Sequence, residues 1–236
     1  MRVLVLLALF VVPAAHVAAQ PDQVFAPTDT SSASFGTSGG FSILLTEYGF
    51  GLGGIFRGAV GPSTSALVEV GLGVGKDARE QQFFIGFFGE TVTPFKRNYV
   101  LLAPLHMGVE QRLFSGAIED NFRPFVQAAV GPSMAYQWPY FRDANEDGLR
   151  DVNEDLYGPF GGLGKGSLRI GAGGTLAVGA YFGRSRRSAQ GIRFGYQGQY
   201  FFSPVQLLEP DPEVEDPERH FFGTPIVSFH FMRLID

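Results

Sequence analysis

The sequence predicts an all-β fold, an antiparallel up-and-down transmembrane β-barrel of about eight strands. Three observations predict it. The first is composition: 32 Gly and 24 Phe among 236 residues, with 14% aromatic and 17% charged residues, yet a mean hydropathy of only +0.08. A bundle of membrane helices would be far more apolar. A wall whose side chains alternate between lipid and lumen averages to a value near this one. The second observation is a two-residue alternation over segments of about ten or more residues. The third is an alternation of short and long connections between those segments.

The first element is an export signal. Arg2 is its charged head, Val3 to Val12 its apolar run, and Val17-Ala18-Ala19 before Gln20 offers small residues for cleavage. The predicted signal is therefore residues 1–19. Ten apolar residues at ~1.5 Å each reach about halfway across a ~30 Å hydrocarbon core, too short for an anchor. No other segment approaches 18 consecutive apolar residues. Any membrane crossing must therefore be made by strands. Residues 20–34, with Pro21, Pro27 and a Ser/Thr cluster, read as a linker. Residues 35–236 are the predicted barrel.

Within it, residues 36–45 and 48–60 form a predicted hairpin. Residues 64–75 set Ala66, Val68, Val70, Leu72 and Val74 against Glu69, Gly71 and Gly73. Side chains alternate across a strand, so one face is greasy and the other polar. Residues 98–111 repeat this, with Tyr99 to Val109 opposing His106, Gly108 and Glu110. Residues 122–137 contain Pro124 and Pro132, which predict an irregular or shortened strand. Residues 166–183 and 191–203 alternate clearly, the latter with Ile192, Phe194, Tyr196, Tyr200 and Phe202 on one face and Arg193, Gln197 and Gln199 on the other. The last strand sets Val227, Phe229, Phe231 and Ile235 against Ser228 and His230, with Arg233 falling on the apolar side.

With a periplasmic N-terminus, the periplasmic connections are 61–65, 114–121 and 184–190. The outer ones are 46–47, 76–97, 139–165 and 204–220. Short periplasmic turns and long outer loops are the asymmetry expected of such barrels. A hairpin closing symmetrically about Ser63 would place Arg57 opposite Glu69. With Arg169, Arg193 and Glu110 these form a predicted charged lumen network. Small barrels fill their interior with side chains, so structural packing is a better reading than a gate.

These features resemble the small eight-stranded outer-membrane barrels, the class of OmpX and the membrane domain of OmpA. The resemblance covers roughly residues 35–236, and includes the aromatic final strand Val227-Ser228-Phe229-His230-Phe231, similar to the assembly signal of such proteins. Here the chain ends Arg233-Leu234-Ile235-Asp236 in place of a terminal Phe. The resemblance implies an outer-membrane location and contact with its lipid. It leaves the activity open, because such barrels serve as adhesins, envelope stabilisers, pores and enzymes.

One motif carries chemistry. Residues 143–154 match D-x-[DN]-x-[DN]-G-x₅-E. Calcium needs several oxygens converging at ~2.3–2.6 Å. Asp143, Asn145 and Asp147 would give side-chain oxygens, Leu149 its carbonyl, Asp151 a contact through water, and Glu154 a bidentate closure. Gly148 would make the sharp turn. The segment resembles the calcium loops of dockerin and thrombospondin type 3 repeats. It departs from an EF-hand at Arg150 and lacks helical flanks, which points to a lone structural Ca²⁺ loop that stiffens a long outer connection. The competing reading is an acidic, solvated loop tip.

Other features carry less. The acidic stretch Leu208 to Glu218 reads as a solvated loop, and Arg184, Arg186 and Arg187 as solvated turn residues. Gly162 to Gly166 lacks the spacing of a phosphate loop. A net charge of −5 argues against nucleic-acid partners, and the absence of cysteine excludes disulfides and thiolate chemistry. Ser228 and His230 form a possible nucleophile and base, but no third orienting residue is evident; a buried polar pair fits better. His106 is expected in the lumen and His220 in a loop. The expected function is a non-enzymatic outer-membrane barrel serving envelope integrity or surface interaction through its outer loops. A small-solute pore, a lipid A-modifying enzyme and a soluble lipocalin-like barrel with its greasy face inward are the alternatives.

Overall fold

The computed structural model describes residues 36–77, 79–84, 91–115, 117, 121–151, 153–183, 188–210 and 218–235. The predicted signal, the linker and Phe35 lie outside these residues, as do Arg184, Arg186, Arg187 and 211–217 of the acidic stretch.

Among the described residues ten strands form: β1 Ser38–Thr46, β2 Gly49–Ala59, β3 Thr64–Gly75, β4 Phe83–Phe84, β5 Thr91–Val92, β6 Asn98–Arg112, β7 Phe122–Pro139, β8 Ser167–Phe182, β9 Ser188–Gln206 and β10 Glu218–Leu234. Eight of them close a barrel in the order β1-β10-β9-β8-β7-β6-β3-β2, while β4 and β5 make a separate small ribbon. Each barrel neighbour is antiparallel, and β1 pairs with β10 from Ser38↔Leu234 to Thr46↔Ile226 to complete the ring. No free sheet edge remains in the wall, which removes the usual liability of an exposed strand.

The alternation seen in the sequence settles which face is which. Leu52, Leu72, Val130, Leu176, Phe194, Tyr196 and Phe202 are all exposed on the outside, while Arg57, His106, Gln127, Arg193, Ser228 and His230 are buried inside. A lipocalin-like barrel would have the reverse arrangement, so that alternative is excluded. The connections also fall as expected. At one end of the barrel are the turns after β2, β6 and β8; at the other are the tight Glu47-Tyr48 turn and three long loops.

Three sequence expectations need correction. Of the irregular or shortened β7 that its prolines predicted, only the irregularity is found: the strand runs 18 residues. Pairing with β6 lapses between Pro104↔Ser133 and Met107↔Val130, but pairing with β8 continues through Pro132↔Ala172. A proline removes one ladder donor on one side, and inside a closed barrel the other neighbour keeps the strand in line. Next, Arg57 does not face Glu69: the β2–β3 register pairs Ile55 with Glu69 and Arg57 with Leu67. The turn closes about Pro62, one residue earlier than symmetric closure at Ser63 assumes. That moves each cross-strand partner by two residues and keeps both side chains on the lumen face. Finally, His220 lies inside β10, not in a loop, because β9 and β10 extend further than the alternation alone suggested. Its Nδ1 lies 2.8 Å from the Phe201 carbonyl, and its ring stacks on Tyr200 at 5.6 Å.

Candidate functional site

The lumen comes first, because a pore or an enzyme would need it open. The inward polar residues supplied by the alternation pair with one another across the barrel. Arg57 Nη1 donates to Glu110 Oε1 at 2.5 Å, and Tyr181 donates its hydroxyl to Glu110 Oε2 at 3.0 Å. The Arg57 guanidinium also lies 4.7 Å from the centre of the Tyr181 ring. Arg193 Nη1 donates to Glu69 Oε2 at 2.6 Å and to Gln127 Oε1 at 2.9 Å. Four of the five predicted members of the charged network, Arg57, Glu69, Glu110 and Arg193, therefore do pair, but with partners exchanged. Arg57 takes Glu110 and Arg193 takes Glu69. Arg169 stands on the same face opposite Ala135, toward the far end of β8. Charges out of water need such partners, since an uncompensated one is costly.

Apolar side chains pack among and beyond these polar groups. Ile55, Phe125, Tyr181 and Met232 cluster near the short-turn end. Tyr48, Val100, Leu102, Ala135, Phe201, Val205, Leu207, Leu208 and Phe222 cluster at the long-loop end. Leu207 and Leu208 belong to a strap that crosses the mouth after β9. Arg97 and Asn98 donate their amides to the Leu207 carbonyl at 2.9 and 3.2 Å, and Glu209 donates its own to Phe95 at 2.8 Å. A bridge pairs Lys96 with Leu208. β6 and β9 are not neighbours in the wall, so the strap ties together two separated parts of the rim. Sequence reasoning missed it. The signal was present in two adjacent leucines within an otherwise polar, proline-rich stretch.

Ser228 and His230 do meet: Oγ lies 3.0 Å from Nε2. The serine oxygen also accepts from Arg193 Nε at 2.9 Å, and His230 Nδ1 has no hydrogen-bond partner. A catalytic base would need an orienting acceptor at that nitrogen. Both residues are at most 1% exposed, so a lipid substrate could not reach them. The pair is an element of lumen packing.

The acidic loop sits in the connection between β7 and β8. Its stem is extended: Phe141 bridges Leu156, Arg142 donates to the Asp155 carbonyl at 2.9 Å and Tyr157 to that of Tyr140 at 2.8 Å. This stem brings positions 143 and 154 together at the neck of the loop. Inside it the carboxylates turn onto backbone amides. Asp143 Oδ2 accepts from Gly148 N at 2.9 Å, Asp147 Oδ1 from Leu149 N at 2.8 Å, and Glu154 from Ala144 N at 2.7 Å and Asp151 N at 3.1 Å. Asn145 Nδ2 donates to Asp147 at 3.0 Å and to Asp151 at 3.3 Å. Gly148 has φ of +78°, a left-handed conformation that favours glycine. Asp143 Oδ1 is buried with no hydrogen-bond partner. Among the described residues no three acidic or imidazole side chains converge as a metal cluster. The oxygens on offer are carboxylate, amide and carbonyl, and Gly148 stands where the sequence motif requires a turn.

The loop is docked, not waving. Trp138 Nε1 donates to the Pro159 carbonyl at 2.8 Å, Tyr136 donates its hydroxyl to that of Leu163, and Trp138 stacks on Tyr99 at 5.6 Å. Glu209 of the strap is pushed above the usual carboxylate range by burial, against the opposing pull of Arg150 and Arg97. The loop between β3 and β6 joins this platform. Asp77 meets Arg79 and Arg219, each at 3.0 Å, Lys96 meets Glu80 at 2.6 Å, and Thr93 N donates to Tyr140 Oη at 3.1 Å.

No family model matches the chain, and no curated protein matches it. Among solved structures, Neisserial surface protein A is similar at 9% identity, covering 84% of this chain and 94% of that one, with a TM-score of 0.43. The N-terminal β-barrel domain of Pseudomonas aeruginosa OprF is 11% identical over 84% and 98%, with a TM-score of 0.36. Ail, the attachment invasion locus protein of Yersinia pestis, is 10% identical over 83% and 95%, with a TM-score of 0.36. At these scores the likeness adds nothing to what the strand register already shows.

Proposed function

We propose that the chain is an exported, non-enzymatic outer-membrane β-barrel that serves envelope integrity or surface interaction through its long outer loops. The observation that carries this reading is a closed wall, greasy outside and filled inside, topped at one end by docked loops. No helix among the described residues is long and apolar enough to cross a membrane, and the exposed belt of Leu, Val, Phe and Tyr suits hydrocarbon. The lumen supports scaffold over pore. The spaces lined by its side chains include cavities of about 20 and 30 Å³, room for a water or two each. Heat modifiability on gels after refolding in detergent tests the barrel. Recovery in the soluble periplasmic fraction would refute the location.

In the same reading the outer loop binds calcium through Asp143, Asn145, Asp147, Leu149, Asp151 and Glu154. The ion would gather oxygens now turned onto backbone amides and stiffen the tip beyond its stem. Weak extracellular affinity, on the order of 10⁻⁴–10⁻³ M, would suffice outside a cell. Trp138 is the only tryptophan, and its indole is tied to the loop's return at Pro159. Calcium titration should therefore change its fluorescence, and Gly148→Val should abolish the change. An unaltered signal, with no heat release at millimolar calcium, would remove the metal from the proposal.

A further inference from the structure

We propose that the lumen binds ordered water in a polar cradle beside Gly173, formed by His106, Ser133 and Gln199. His106 Nε2, Ser133 Oγ and Gln199 Oε1 are buried and have no hydrogen-bond partner. The three residues are at most 3% exposed. Such atoms are normally satisfied, by water where protein does not reach. The first two meet at one place. A Cβ built on Gly173 would lie 2.6 Å from Ser133 Oγ, 3.0 Å from His106 Nε2 and 2.7 Å from the Gly198 carbonyl. Gln199 is the direct partner of Gly173 on β9. The space is polar and free of a side chain because residue 173 has none.

The chemistry selects the ligand. His106 Nδ1 lies 3.1 Å from Thr175 Oγ1. If the threonine hydroxyl donates there, the imidazole carries its proton on Nε2 and offers a donor to the cradle. Ser133 offers both a donor and an acceptor; Gln199 and Gly198 offer acceptors. A ligand that donates and accepts equally fits this ring. A bare cation would find a carboxylate only on the other side of the imidazole, where Glu69 Oε1 lies 3.9 Å from His106 Nδ1, and an anion would face two carbonyl oxygens. Two adjoining cavities each reach one of the side chains. The first, about 20 Å³, is lined by His106, and the second, about 30 Å³, by Gln199. They share Leu44, Gly71, Pro104 and Gln197, so the hydrated region extends beneath the apolar cluster that closes the outer mouth.

The test turns on a sign. If Ser133 Oγ were dry, Ser133→Ala would remove a desolvated orphan and raise the urea midpoint of the full chain refolded in detergent. If it holds water for His106, the folding constant falls, by roughly five- to tenfold, the size of one buried hydrogen bond. A crystal structure of the wild type should show water within hydrogen-bond reach of at least two of the three side chains. An unchanged or raised midpoint for Ser133→Ala would overturn the proposal. So would density showing Ser133 bonded directly to His106 with no water between them.

Discussion

Glu110→Ala should be among the most damaging single substitutions in the barrel, although Glu110 is only 4% exposed. Its carboxylate accepts from Arg57 at 2.5 Å and from Tyr181 at 3.0 Å, and the two charged side chains are 6% and 5% exposed. A unit-charge pair about 4 Å apart at an effective dielectric constant of ~20 is worth about 4 kcal/mol. Breaking a buried pair from one side typically costs ~3–5 kcal/mol, because the partner's charge stays buried. Ser38 Oγ, which accepts from Arg57 Nε at 3.3 Å, is neutral and cannot replace the carboxylate. Glu110→Gln keeps an acceptor for Tyr181 and should cost about half as much. Arg57→Met combined with Glu110→Gln removes both charges, and should be less damaging than the sum of the single changes by ~2 kcal/mol or more. Equilibrium urea unfolding in detergent micelles, followed by gel mobility and Trp138 fluorescence, measures each variant. A Glu110→Ala cost below ~1 kcal/mol, or additivity within ~0.5 kcal/mol, would refute the account of the lumen as a coupled charge network.

Three further outcomes follow from other parts of the wall and loops. Leu176→Arg, at an outward site that is 68% exposed, should destabilise the barrel by roughly 2–4 kcal/mol in lipid vesicles; a neutral result would place this face in water. Burial alone would raise the pKa of Asp77, but hydrogen bonds from Arg79 and the charge of Arg219 outweigh it and hold the carboxyl below its usual range. A depressed folded-state pKa contributes stability above the ordinary carboxylate value that is lost as pH falls through the depressed one. Asp77→Asn should therefore flatten the acid limb of the urea midpoint below the ordinary carboxylate pKa of ~3.9, and an unaltered limb would discount this ion cluster. Ser228→Ala removes the oxygen that accepts from Arg193, so it should cost ~1–2 kcal/mol of stability while leaving the lipid A mass spectrum unchanged; a changed spectrum would revive the enzyme reading.

Much of the barrel was legible in the chain because strand periodicity is local. Residues 191–203 alternate Phe194, Tyr196, Tyr200 and Phe202 with Arg193, Gln197 and Gln199, and a strand has only two faces to put them on. The closed wall confirms that division. The acidic loop was legible for the same reason, since Asp143, Asn145, Asp147, Gly148 and Glu154 lie within one turn of chain. Partnership was not legible. Which arginine meets which carboxylate depends on register across the barrel, and closing the β2–β3 turn one residue earlier was enough to undo the Arg57–Glu69 expectation.

By itself, the sequence determined the strand segments, the greasy and polar faces, the asymmetry of the connections and the Gly148 turn, all set by neighbours a few residues apart. Only the tertiary structure decided that Arg57 takes Glu110 while Arg193 takes Glu69. It alone carried Leu207 and Leu208 across the mouth, and brought His106 and Ser133 beside Gly173 from two other strands. These are contacts between residues tens of positions apart. Their energies depend on distance and burial in the folded barrel, which no local pattern encodes.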